Sequence, residues 1–320
     1  MYWLVNEFTL AAVGLLLLLF AGDALVKGAV NLSLRLGVPA LIVSLTIVAF
    51  GTSAPELLIS VQSILDDEPG LAIGNVVGSN TANVLLVLGV PALLAGLSAS
   101  SSDTRKSYVI MILGTFLFIG LAFIGPITWW HGLILLAALA AMLLDNFRDA
   151  RLHMKSGIEE EEPEGADPNL AGWKIGAYLV AGLIGLPLGA KLLVDNAVII
   201  ATDFGVSPTV IGLTLVAIGT SLPELATTVM AAFRKKADVA IGNVIGSNVF
   251  NLLAIIGVAS LVGPMPVPPA FLTLDLWVML GASILIAPVV FNPQKMGWRW
   301  GTGLTLAYVL YLYMVLTNGA

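Results

Sequence analysis

Leu45-Thr-Ile-Val-Ala-Phe-Gly-Thr-Ser-Ala-Pro-Glu-Leu57 decides the fold, because the chain carries it twice. It returns 168 residues later as Leu213-Thr-Leu-Val-Ala-Ile-Gly-Thr-Ser-Leu-Pro-Glu-Leu225. A second stretch, Ala72-Ile-Gly-Asn-Val-Val-Gly-Ser-Asn80, returns at the same offset as Ala240-Ile-Gly-Asn-Val-Ile-Gly-Ser-Asn248. Between 43–90 and 211–258, 23 of 48 aligned positions are identical without a gap. Two apolar helices resemble each other by composition alone, but chance does not preserve Gly-Thr-Ser-x-Pro-Glu. A fixed offset marks one structural unit used twice.

Composition says what surrounds that unit. Apolar residues fill 58% of 320 positions, charged residues 11%, and mean hydropathy is +0.98. A soluble domain carries roughly 25% charged residues to wet its surface, so the solvent of this chain is mostly lipid. Crossing the hydrocarbon takes about 20 apolar residues. Ten stretches qualify, near 8–32, 39–66, 71–98, 107–125, 127–147, 173–200, 207–233, 239–262, 270–290 and 298–317. The first lacks the positive flank of a signal peptide, Glu7 being the only charge before Leu10–Phe20, and is read as a retained helix. The expected fold is an all-α polytopic membrane protein: a five-helix repeat over 1–147, a linker over 148–172 and a second five-helix repeat over 173–320. An odd number of spans per half inverts the second half, an arrangement typical of secondary transporters with substrate at the repeat interface.

Basic residues set the expected orientation. With the N-terminus outside, inner connections hold Lys27/Arg35, Arg105/Lys106, Arg148/Arg151/Lys155/Lys174, Arg234/Lys235/Lys236 and Lys295/Arg299, leaving Lys191 outside. Both termini then face outward and the linker is cytoplasmic. Its core, Ile158-Glu-Glu-Glu-Glu-Pro-Glu-Gly-Ala-Asp-Pro168, has neither the spaced ligands nor the turn glycine of an EF-hand loop and reads as a solvated tether. Asp23 with Lys27, and Lys191 with Asp195 at the equivalent positions with signs exchanged, read as local i,i+4 pairs. His131, after Trp129 and Trp130, reads as part of an interfacial aromatic belt.

The chemistry rests on Glu56 and Glu224. Each lies mid-span, where an ionised side chain is expensive and functional by default. Two carboxylates at equivalent positions of inverted halves face each other; unpaired they repel, and at least one keeps its proton. Apart from Lys191 near an outer end, no Lys or Arg lies deep in the core spans to neutralise them. A divalent cation supplies the missing charge, and Ca²⁺ suits because it accepts 6–8 oxygens in irregular geometry whereas Mg²⁺ demands a strict octahedron. Thr52, Ser53, Thr220 and Ser221 offer hydroxyls one turn earlier. Pro55 and Pro223 lack an N–H, so the carbonyls of Gly51 and Gly219 lose helical partners, and those of Ala49 and Ala217 are expected to tilt toward a cavity. An oxygen-only set suits Ca²⁺ and Na⁺ rather than zinc or copper. In the second motif, Ser79 with Asn83 and Ser247 with Asn251 share helix faces and read as ion ligands. Asn75, Asn80, Asn243 and Asn248 are divided between ligation and interhelical glue. Gly74-x-x-x-Gly78 and Gly242-x-x-x-Gly246 provide the close contact that the glue reading needs.

Gly51-Thr-Ser-Ala-Pro-Glu56 and Gly219-Thr-Ser-Leu-Pro-Glu224, each followed by Gly-Asn-Val-x-Gly-Ser-Asn, resemble the paired α-repeats of the cation/calcium exchanger superfamily, most closely its prokaryotic sodium/calcium exchangers. The resemblance spans essentially the whole chain. It implies ten spans in two bundles, with the second, third, seventh and eighth helices holding four cation sites. Carried over, Glu56 and Glu224 bridge Ca²⁺ with Thr52 and Thr220. An inner Na⁺ site takes the Ala49 carbonyl, Thr52, Ser53, Glu56 and Ser79; an outer one takes the Ala217 carbonyl, Thr220, Ser221, Glu224 and Ser247. Asn83 and Asn251 line the middle. Some members carry Asp where this chain has Asn251, so a middle-site role that needs a carboxylate does not transfer. The Ca²⁺/H⁺ branch typically has Glu where Asn83 and Asn251 stand.

The expected function is therefore Na⁺/Ca²⁺ antiport by alternating access in the cytoplasmic membrane of a prokaryote. The alternatives are a Ca²⁺/H⁺ or K⁺-dependent exchanger on the same fold, or a cation channel. The expected partners are Ca²⁺, Na⁺ and membrane lipid, with no cofactor, nucleic acid or obligatory protein partner. The chain has no cysteine and only two histidines, which excludes thiol chemistry and leaves little for a His-based zinc hydrolase.

Overall fold

The computed structural model describes residues 2–98, 102–156, 167, 169–205, 217–292 and 295–318. The acidic core of the linker, apart from Asp167, and the first part of the seventh expected span lie outside the described residues. Eleven helices organise the rest: α1 (Tyr2–Leu36), α2 (Ala40–Thr52), α3 (Ala54–Leu65), α4 (Pro69–Leu94), α5 (Ser102–Ile124), α6 (Trp129–Ser156), α7 (Gly172–Asp203), α8 (Leu222–Phe233), α9 (Ala237–Val262), α10 (Phe271–Phe291) and α11 (Trp298–Asn318). Among the described residues seven helices are long and apolar enough to cross a membrane, or eight if α2 and α3 form one bent span. The shortfall from ten has local causes. The seventh stretch is described only from Ala217, where a short turn (Ala217–Gly219) precedes the 12-residue α8. In α11, Gly, Thr and Tyr side chains hold hydropathy down.

The motifs determine where helices break. Between α2 and α3 the axis turns by 42° at Ser53, whose φ of −86° and ψ of 3° leave the helical region. Pro55 sits in the first turn of α3, where its missing N–H costs nothing. Ser221 before α8 has the same backbone, φ −87° and ψ 3°, and Pro223 occupies the same place. Each break sets a glutamate in the first turn of a new helix, Glu56 in α3 and Glu224 in α8, beside the partial positive charge of its N-terminus. Further repeats of backbone geometry follow the 168-residue offset. Asp67 and Lys235 both take positive φ, 61° and 55°, after α3 and α8. α4 and α9 each contain a π-helical turn, Asn83–Val87 and Phe250–Ile255, wide turns that often occur at functional sites.

Two layers result. α1 and α7 cross as a tight pair over small residues: a Cβ on Gly189 would lie 2.9 Å from the Leu18 nitrogen and 3.0 Å from the Gly14 carbonyl. Such close backbone approach replaces the hydrophobic drive that lipid cannot supply. α4 and α9 fill the centre, most of their apolar side chains fully buried, including Ile73, Val76, Val77, Ile245 and Leu252. Outward, large apolar side chains stay exposed, among them Phe20, Leu58, Trp173 and Phe204, as expected of a surface facing acyl chains. A two-stranded antiparallel ribbon, Leu97–Ser98 with Lys295–Met296, ties the end of α4 to the start of α11. His131 departs from expectation. Trp129 and Trp130 are exposed, but His131 is 3% exposed: its ring stacks on Trp130, and Nδ1 accepts the Thr128 N–H at 3.1 Å, capping the start of α6.

Candidate cation-binding site

The two breaks meet the centres of α4 and α9 inside the protein. Glu56 and Glu224 are 1% and 0% exposed. The first half reaches the second directly, since Ser53 Oγ donates to Glu224 Oε1 at 3.3 Å. Thr52 Oγ1 lies 3.4 Å from Ser247 Oγ and donates to Asn243 Oδ1 at 3.3 Å. Thr52 also donates to the Ala49 carbonyl at 3.2 Å, and that oxygen accepts the Ser53 N–H at 3.0 Å. Ala49 thus offers an engaged carbonyl rather than one tilted freely into a cavity. Thr220 is partly buried, and Ala217 opens the short turn that leads to it.

The asparagines separate by what they bond. Asn75 Nδ2 donates to the Glu56 carbonyl at 3.1 Å and to Ser60 Oγ at 2.9 Å. Asn243 repeats this on the Glu224 carbonyl (3.4 Å) and Thr228 Oγ1 (3.2 Å). These two amides hold the backbone of each glutamate and act as scaffold. Ser60 and Thr228 escaped the sequence reading, although two hydroxyls at the repeat offset within otherwise diverged neighbours were a usable signal. Asn80 and Asn248 cross-link α4 to α9, each Nδ2 donating to the other's backbone carbonyl at 3.2 and 3.4 Å. Gly242 and Gly246 make the expected close contact, packing on α2 at Leu41, Ser44, Leu45 and Ala49; Gly74 and Gly78 do not among the described residues, where a Cβ on Gly74 would meet only Phe271 Cζ at 3.5 Å and one on Gly78 nothing within 4 Å.

Among the described residues six buried oxygens here remain without a hydrogen-bond partner: Glu56 Oε2, Glu224 Oε2, Ser79 Oγ, Ser221 Oγ, Asn83 Oδ1 and Asn251 Oδ1. Buried polar atoms are nearly always bonded, and leaving one unbonded costs about 1–3 kcal/mol. These six oxygens, two of them the acids' own, are of the all-oxygen, hard-cation kind that Ca²⁺ and Na⁺ take. No cluster of three or more His, Cys, Asp or Glu occurs among the described residues. The arrangement has two acids and several neutral oxygens, which suits an ion that is bound and released.

A lipid-clad helical bundle with such a centre defines an integral membrane protein of the cation-handling kind. The chain belongs to the sodium/calcium exchanger protein family, whose pattern matches residues 7–147 and 174–317. It is 35% identical over 312 residues to the inner membrane protein YrbG of Escherichia coli K12, covering 96% of this chain and 95% of that one. It is 32% identical over 347 residues to the sodium/calcium exchanger MaX1 of Methanosarcina acetivorans, covering 97% and 98%. The solved structure of the sodium-calcium exchanger NCX_Mj soaked with Na⁺ and Sr²⁺ superposes with a TM-score of 0.80 at 30% identity, covering 96% of this chain and 97% of the other. Members of this family are transporters rather than enzymes.

Proposed function

We propose that this protein exchanges Na⁺ for Ca²⁺ across the cytoplasmic membrane by alternating access. The ions bind between two inverted five-helix halves, 1–147 and 173–320, joined by the cytoplasmic linker 148–172, with both termini outside. One observation carries the reading: the fully buried acids Glu56 and Glu224, the second bonded from the other half by Ser53, each keep an oxygen without a partner among the described residues, as do the buried Ser79, Ser221, Asn83 and Asn251. A buried carboxylate pair needs a cation partner, and Ca²⁺ and Na⁺ compete for the same oxygens, so the site holds one or the other. The backbone geometry repeated at 168 residues supports the two-half description. α1 and α7, packed on each other outside the core, are the elements that move across it. Glu56→Gln or Glu224→Gln removes one of the two charges and should abolish Na⁺-gradient-driven ⁴⁵Ca²⁺ uptake into proteoliposomes; near-normal exchange by both variants would defeat the assignment. Imposing Na⁺, K⁺ and H⁺ gradients one at a time separates Na⁺ coupling from K⁺-dependent and Ca²⁺/H⁺ exchange. Asn at both 83 and 251 favours Na⁺, since neither amide carries a titratable proton.

A further inference from the structure

An asparagine presents oxygen on one side and NH₂ on the other with nearly the same shape, so only its hydrogen bonds decide which faces a ligand. For a cation the difference is attraction against repulsion. In this site the decision traces back to two groups that cannot turn. The backbone carbonyls of Asn80 and Asn248 only accept, so the side-chain Nδ2 of Asn248 and of Asn80 must face them, at 3.4 and 3.2 Å. Their Oδ1 atoms then point the other way. Asn248 Oδ1 accepts from Asn83 Nδ2 and Asn80 Oδ1 from Asn251 Nδ2, both at 3.0 Å. With their NH₂ groups committed, Asn83 and Asn251 turn their unbonded Oδ1 atoms away from this network. Reversing either amide would set NH₂ toward the cation and oxygen against oxygen behind it.

We propose that Asn80 and Asn248 are positioning residues that fix the amide polarity of Asn251 and Asn83, so that each gives oxygen to the cation. This deepens the proposed function and rests on it. The test is a double-mutant cycle on purified full-length protein, read as ⁴⁵Ca²⁺ binding at equilibrium. Asn248→Ala frees the Asn83 amide and should weaken binding about tenfold, the lower end of what outer partners of metal ligands contribute. In an Asn83→Asp background the same truncation should change affinity less than about twofold, because a carboxylate presents oxygen whichever way it turns. In an Asn251→Asp background it should still cost about tenfold, since Asn251 is oriented by Asn80 instead. Equal penalties in all three backgrounds would reduce Asn248 to a packing residue and overturn the proposal. Should Asn248→Ala not yield monodisperse protein, Asn248→Leu, closer to the amide in volume, runs the same cycle. Wild-type protein that binds no Ca²⁺ would remove the functional reading and this one with it; a binding wild type with additive variants would remove only this one.

A separate observation concerns three charges. Asp23 on α1 bonds Lys27 at 3.0 Å and also reaches across to Arg234 at the end of α8. The 168-residue offset puts Lys191, Asp195 and Asp66 at the positions of Asp23, Lys27 and Arg234, every sign reversed. There the cross-helix pair is not made: among the described residues Lys191 bonds its neighbour Asp195 at 2.8 Å, and Asp66 bonds Gln62 at 2.8 Å. We infer that these are two alternating latches, Lys191 with Asp66 closing when Asp23 and Arg234 part. This rests on alternating access. With no native cysteine in the chain, the pairs Asp23→Cys/Arg234→Cys and Lys191→Cys/Asp66→Cys can be oxidised cleanly in vesicles. Each pair should cross-link and stop exchange, and in the four-cysteine protein closing one should exclude the other. A second pair that never closes while the first does, or both closed in one molecule, would overturn the latches. Full exchange by the cross-linked first pair would overturn the motion itself.

Discussion

Gly246→Ala adds one methyl group where α9 crosses α2, and its effect follows from the geometry. The new Cβ would lie 2.6 Å from Ala49 Cβ and 2.8 Å from the Leu45 carbonyl oxygen. Carbon atoms rest about 3.5–4.0 Å apart, and most of what it meets is backbone, so α9 must back away from α2 by about 1 Å. The adjacent residue is Ser247, whose hydroxyl stands 3.4 Å from Thr52 at the edge of the site. Ca²⁺ holds its oxygens within a window of about 2.3–2.6 Å, so a 1 Å displacement removes Ser247 from any shared coordination. The expected result is a folded protein destabilised by about 1–3 kcal/mol, with Ca²⁺ affinity down about tenfold, equivalent to about 1.4 kcal/mol. Gly303→Ala is the matched control: Gly303 is exposed, a Cβ there meets nothing within 4 Å among the described residues, and helix propensity should stabilise it by about 1 kcal/mol. Thermal unfolding in detergent and ⁴⁵Ca²⁺ binding measure both effects. Gly246→Ala binding Ca²⁺ within twofold of wild type would show that the α2–α9 contact does not set the spacing of the site.

Three further outcomes are expected. Ser53→Ala takes a donor from Glu224 Oε1 and should cost the ion-free protein about 1–3 kcal/mol, whereas Ser221→Ala removes a hydroxyl with no partner among the described residues and should cost less; unfolding of both without Ca²⁺ gives the order, and a reversed order contradicts it. Lys106 bridges Asp145 at 2.6 Å and Asp149 at 2.5 Å on a half-exposed surface, so Lys106→Ala should cost no more than about 1 kcal/mol, vanish in high salt and leave exchange intact. In competition for bound ⁴⁵Ca²⁺, Sr²⁺ should displace it and equimolar Mg²⁺ should not, because the irregular oxygen set offers no octahedron; displacement by Mg²⁺ would argue for a site more regular than this one.

What the sequence made legible is what local chemistry decides. The Gly-Thr-Ser-x-Pro-Glu repeat implies a break before each glutamate because proline has no N–H to give, and Ser53 and Ser221 sit at those breaks with the same backbone. Ser79, Asn83 and Asn251 were singled out from helix faces, and the structure leaves each with an unbonded buried oxygen. What stayed hidden depends on which helix meets which. No spacing within one segment says that Asn80 faces Asn248, or that the Asp23 carboxylate reaches Arg234 as well as Lys27, since both contacts need the pairing of distant helices. Pro55 frees the Gly51 carbonyl, and the neighbouring Ala49 carbonyl is expected to tilt toward a cavity, yet the Thr52 hydroxyl and the Ser53 amide, which lie within the same motif, both use it. His131 misled because a ring beside two tryptophans is equally suited to the interface and to capping a helix from inside.

Two acids and no buried base at the centre also bear on why exchange, rather than leak, is the activity proposed. Each ionised side chain held at bilayer depth costs about 3 kcal/mol on insertion scales and more by other measures. An empty site in which one carboxyl keeps its proton, as an unpaired buried pair does, still holds one charge and a penalty of about 3 kcal/mol. At 1.4 kcal/mol per factor of ten, that suppresses the sealed, ion-free intermediate about 10²-fold relative to one neutralised by Ca²⁺ or by Na⁺. A transition that must pass through the sealed intermediate then goes forward only when loaded, and movement of one ion becomes conditional on return of the other. Glu224→Gln removes this penalty, because a single proton on Glu56 then neutralises the empty site. Any residual flux it supports should be uncoupled leak of the weaker-bound ion, measurable as ²²Na⁺ efflux without Ca²⁺ on the other side; tight coupling retained in that variant would place the barrier elsewhere than in the charge of the empty site.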